Sequence, residues 1–95
     1  MSAMPFATKD PQAQLDFGFN WSQWVATGDE INSASWELAG NDNALTLSNQ
    51  VLSGNESTVR ATGGTVGATY RLVNTVTTSS GLTDQRTITL RIINR

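Results

Sequence analysis

The stretch Leu15-Asp16-Phe17-Gly18-Phe19-Asn20-Trp21 decides the fold class. Leu15, Phe17, Phe19 and Trp21 alternate with Asp16, Gly18 and Asn20, a period of two. Successive side chains of a β-strand point to opposite faces, so this spacing makes one face aromatic and the other polar. Gly18 within the run predicts a bulge or a close approach of another backbone.

The same period recurs downstream. A second strand is expected from Glu30 to Leu38, with Trp36 and Leu38 on one side. Leu45 and Leu47 open a third that continues through Val51, and Val59 and Ala61 mark a short fourth, ended by Gly63-Gly64. Tyr70, Leu72, Asn74 and Val76 line one face of a fifth strand, against Arg71, Val73 and Thr75 on the other. In the last, Ile88, Leu90 and Ile92 alternate with Thr87, Thr89 and Arg91. Turn clusters separate these runs at Thr27-Gly28-Asp29, Gly40-Asn41-Asp42-Asn43, Ser53-Gly54-Asn55 and Ser79-Ser80-Gly81. No 3.6-residue period persists long enough to demand a helix. Short strands at this spacing predict an all-β, immunoglobulin-like β-sandwich of about seven strands. Residues 13–95 are expected to form that domain. Residues 1–12, with Pro5 and Pro11 and no period, are expected to be an extended N-terminal arm that orders on docking.

Composition agrees. The 13 Thr and 9 Ser among the 95 residues sit between Val, Ile and Leu, a mixture that suits pleated surfaces and lacks the charge of a disordered chain. A domain this small buries only roughly 60–65% of its unfolded surface, which leaves little room for a deep catalytic pocket. The net charge is −2, and the basic residues from Arg60 onward form no cluster, so nucleic acid and anionic membrane are not expected partners. No apolar run is long enough to span a bilayer, and Met1 to Phe6 lacks the parts of a signal peptide, so a soluble chain is expected.

The chain holds neither Cys nor His, which removes disulfides, thiolate nucleophiles, imidazole acid–base chemistry and His- or Cys-based metal sites. Asp29-Glu30 is an adjacent carboxylate pair, but it lies in a turn, where acidic residues are commonplace. Asn41-Asp42-Asn43 lacks the ligand spacing of a calcium loop and reads as a plain turn. Gly63-Gly64 with Gly67 reads as a turn needing positive φ, since neither a Lys nor a helix start follows as in a phosphate loop. The sequons at Asn20 and Asn55 count as chance. No catalytic, cofactor-binding or metal-binding residue is expected. Phe17, Phe19, Trp21 and Trp36 are expected in the core, whereas Trp24, off the alternation, is a candidate contact residue. Exposed Trp rings would also suit a sugar platform, so a carbohydrate- or receptor-binding module is an alternative reading.

Lys9-Asp10-Pro11, Leu15-Asp16-Phe17, Trp21-Ser22-Gln23-Trp24, Gly28-Asp29-Glu30-Ile31 and Trp36 together resemble the opening of the tailed-bacteriophage fiber-tail adaptor family. Gly63-Gly64-Thr65, Gly67-Ala68-Thr69-Tyr70, Asn74 and the run from Thr77 to Arg86 resemble its second half. Arg60 departs from that pattern, which often has a Trp there. The resemblance implies a non-enzymatic virion protein of the tail, assembled in the host bacterial cytoplasm. It would be present in several copies and link tail machinery to receptor-binding fibers. Similar modules decorate phage heads, so capsid decoration is the rival. The partners implied are other virion proteins, tail tube or adaptor and fiber, and further copies of the chain, with no cofactor. The interface candidates are Lys9, Asp10 and Pro11 in the arm, Trp24, Arg60, and Arg91 in the last strand, whose edge is expected to be open to neighbours.

Overall fold

The computed structural model describes residues 6–40 and 42–94. They form seven strands: β1 (Phe6–Lys9), β2 (Gln14–Asn20), β3 (Ile31–Ala39), β4 (Leu45–Ser53), β5 (Glu56–Gly63), β6 (Thr69–Thr78) and β7 (Thr83–Ile92). One sheet runs β1-β7-β6-β3 and the other β2-β5-β4. All pairings are antiparallel except β1 with β7. The result is an immunoglobulin-like sandwich of two facing layers, as the alternation predicts.

Each layer buries the apolar residues of its alternating strands. Tyr70 and Leu72 of β6 and Ile88, Leu90 and Ile92 of β7 pack with Val59 and Ala61 of β5 across the interior, and Val76 of β6 packs with Trp21 and Ile31 in a second cluster. Phe19 stacks on Trp36 with rings 5.9 Å apart and meets Trp21 edge-on at 6.3 Å, so Phe17 and Phe19 of β2 pack half-buried against the core, while Leu15 is exposed. Gly18 causes no bulge, because β2 and β5 stay in register from Gln14 to Asn20. It permits close approach instead: a Cβ there would stand 2.7 Å from the Ser57 carbonyl oxygen. Gly63, at φ +84°, makes the turn read from the sequence.

Two polar side chains lie at the centre and pin the layers together. Trp21 Nε1 donates to Asn74 Oδ1 at 2.9 Å, and Asn74 Nδ2 donates to the Ser35 carbonyl and to Ser57 Oγ, both at 3.0 Å. Ser57 Oγ also accepts from Trp36 Nε1 at 2.9 Å. Four strands or their ends thus meet in one satisfied network, where an unpaired amide would be costly. At one end Tyr70 closes a corner of the sandwich: its hydroxyl accepts from the Thr65 N–H at 3.0 Å and donates to Asp42.

Two expectations need correction. Phe6–Lys9, assigned to an arm outside the domain, is a strand of the larger sheet, so the folded unit begins before residue 13. The sequence hides this because the strand is only four residues long and its fully buried side chain is a lysine. Met1–Pro5 lie outside the described residues. The last strand, expected as an open edge, has β6 on one side and β1 on the other along Thr89–Ile92.

Candidate functional site

The candidate contact residues do not converge. Lys9 is wholly buried: its stem lies inside the sandwich and its ammonium donates to the carbonyls of Gly63 at 2.7 Å and Asp10 at 2.9 Å. Burial pushes its pKa down, opposed by the neighbouring Asp10 charge. Lys9 is therefore a structural pin that fixes β1 against the end of β5, and not a contact residue. Asp10 and Pro11 build the turn into β2, where the Asp10 carboxylate accepts the Gln12 N–H at 2.8 Å and its carbonyl accepts the Ala13 N–H at 3.0 Å.

Trp24 is half-buried and packs edge-on against Trp21 at 5.2 Å, at the margin of the cluster formed by Trp21, Ile31 and Val76. With Trp21 and Trp36 buried, the tryptophans build no exposed platform for a sugar. Arg60 stands across from Asp16 on the outer face of the smaller sheet and grips its carboxylate with Nε at 2.8 Å and Nη2 at 3.2 Å. Arg91 is exposed on the other sheet, between Thr8 of β1 and Thr69 of β6. These two arginines are on opposite faces.

Two of the acidic residues tie loops together. Asp29 accepts from Ser80 Oγ at 2.6 Å, the Glu30 N–H at 2.9 Å and the Ser80 N–H at 3.2 Å, joining the β2–β3 loop to the β6–β7 hairpin. At the far end Asp42 accepts from Thr65 Oγ1 at 2.8 Å, the Ala44 N–H at 3.0 Å and the Tyr70 hydroxyl, joining the β3–β4 and β5–β6 loops. These hydrogen bonds hold both carboxyls below their ordinary pKa, for Asp29 chiefly through Ser80 and for Asp42 chiefly through Tyr70. Both carboxylates are thus engaged by several donors, as a loop tie requires and a general acid does not. Asn41, part of the calcium-like triplet, lies outside the described residues. No group of three or more potential metal ligands occurs among the described residues.

The flanks of the sandwich are more distinctive. On one, β3 and β4 are the edges of their sheets and leave a shallow groove of about 260 Å³, lined by Ser33, Ala34, Trp36, Gln50, Val51 and Leu52 among others. A bulge in β4 between Ser48 and Val51, with Asn49 at φ 51°, turns Gln50 across that groove. Its Oε1 accepts the Trp36 N–H at 3.1 Å and its Nε2 donates to the Trp36 carbonyl at 3.4 Å. On the other flank β1 covers β7 only from Thr89 to Ile92, and no described residue pairs with Thr83–Ile88 on that side. Sequence reasoning missed Gln50, whose only local signal is a polar run, Ser48-Asn49-Gln50, that breaks the alternation.

Residues 9–91 match the family described as podophage GP4 fiber-tail adaptor protein gp77. The chain belongs to this family. The resemblance seen in the sequence is thereby borne out over nearly the whole folded unit. No curated protein matches the chain. The family match begins at Lys9, the buried pin, and leaves Phe6, Ala7 and Thr8 of β1 outside it. Trp36, Gln50, Ser57, Tyr70 and Asn74 all fall within the matched span, so the central network and the Gln50 contact lie in the part of this chain that aligns with gp77. The gp77 family is one of structural adaptors and not of enzymes, in keeping with carboxylates engaged in holding loops.

Proposed function

We propose that this chain is a non-enzymatic component of a podophage virion that joins the tail machinery to the tail fibers, in several copies per particle. The observation that carries the proposal is the gp77 family match over residues 9–91. The structure supports it in two ways. The sandwich is braced at both ends by Asp29 and Asp42 and at its centre by Asn74, which suits a rigid spacer under load. The larger sheet leaves Thr83–Ile88 of β7 without a described neighbour on one side, the kind of strand edge to which β-modules bind extended partners. The partners are other virion proteins, and assembly takes place in the host bacterial cytoplasm. Arg60 and Arg91, being on opposite faces, are then candidates for contacts with different neighbours.

Deleting the gene while supplying the chain in trans tests this reading. The expected result is that particles made without the chain have complete heads and tail machinery but no fibers, and that complementation restores them. Fully fibered particles without the chain would contradict it. Gold label on the head surface would point to capsid decoration instead.

A further inference from the structure

We infer that Gln50 is a side-chain substitute for a missing strand, which closes the edge of β3 against pairing with β3 of a second copy. The inference goes beyond the adaptor reading and does not depend on which fiber is bound.

β3 is nine residues long and forms one edge of the four-stranded sheet. In an antiparallel ladder alternate residues direct both N–H and C=O to the same side. Trp36 directs its pair away from β6, towards Gln50. Ala34 and Leu38 share its parity, so β3 presents a row of main-chain donors and acceptors on its outer side. Such an edge is a template for another strand, and a chain packed in several copies meets that hazard at high local concentration.

The Gln50 amide makes the two bonds that an incoming strand would make to Trp36, one accepted and one donated. Because Trp36 sits in mid-strand, this single plug divides the edge into pieces too short to support a stable ladder. The amide reaches Trp36 because the bulge after Ser48 re-aims the chain, with Asn49 in the left-handed region that Asn tolerates better than most residues. The occupant excluded is a second copy: two β3 edges related by a twofold axis run antiparallel and are complementary without any other protein.

The test uses the full chain with Gln50→Ala and with Gln50→Asn, whose amide is one methylene too short to reach. Mass is measured by light scattering over a concentration series. A Glu37→Cys reporter, unique because the chain has no other cysteine, is added to each background. Both Gln50 variants are expected to pass from monomer to dimer as concentration rises. With the reporter thiol present, they should form disulfide-linked dimers many times faster than the chain carrying the reporter alone. Monomeric Gln50 variants over the whole series, or equal cross-linking with and without Gln50, would overturn the inference.

Discussion

The two flanks of the sandwich solve the same problem by different means. On the β3–β4 flank one amide side chain, Gln50, plugs the edge at mid-strand by bonding the Trp36 N–H and carbonyl. On the other flank a four-residue backbone strand, β1, lies along β7 and is held by a buried ammonium, while Thr83–Ile88 have no described partner on that side. A side-chain plug uses no main chain and leaves only short pieces of edge on either side of Trp36. A short strand leaves an edge that can be extended. The first flank is plugged at Trp36, and the second has main-chain groups to offer.

The largest expected effect comes from the residue that serves both the closed flank and the core. Trp36→Ala should cost about 3–5 kcal/mol, because it removes a buried ring, its stack on Phe19 and a donor to Ser57. Urea unfolding measures this; a loss under about 1 kcal/mol would show that the central network is not the brace it is taken to be. Lys9→Ala tests the other flank. It should cost about 1–3 kcal/mol by leaving the Gly63 carbonyl without its donor, and should free the Ile93 amide for rapid hydrogen exchange without causing oligomers. Gln50→Ala should do the converse. Its stability loss is about 0.5–1.5 kcal/mol, small beside its effect on self-association. Reversed outcomes for Lys9 and Gln50 would exchange the roles of the flanks.

Acid should act on the ends and leave the flanks alone. Asp29 and Asp42 have folded pKa values below the ordinary 3.8, so the unfolded chain binds protons first as pH falls. Their contribution is therefore complete above about pH 4 and is lost as pH drops through the lower folded values. The thermal midpoint should fall below pH 4, and Asp42→Asn should flatten that fall; an unchanged acid profile would remove Asp42 as the tie. The smallest effect is expected at Arg60→Ala, where an exposed pair with Asp16 is opened and the urea midpoint should barely move.

How much of this was legible in the sequence depended on whether a signal repeats. Phe17 and Phe19 repeat a period of two, as do Tyr70, Leu72, Asn74 and Val76, and each repeat fixes which face is inward whatever the partner strand, although Leu15, which opens the first run, ends up exposed. The pattern also placed Asn74 inward, though only the structure shows it joining Trp21, Ser35 and Ser57. β1 escaped because four residues between prolines carry no period, and a lysine at an inward position looks like surface. Gln50 escaped because a bulge resets the parity, so its direction follows from the left-handed Asn49 and not from spacing. Which strands are neighbours, and hence which edges are covered, rests on long-range pairing that no local pattern encodes.

Hydrogen exchange of the free chain, compared with the same chain in assembled tails, tests the contrast between the flanks most directly. Added protection at β1 and along Thr83–Ile88, with the amides of β3 unchanged, is the predicted result. New protection along Ile31–Ala39, with β7 unaltered, would contradict it.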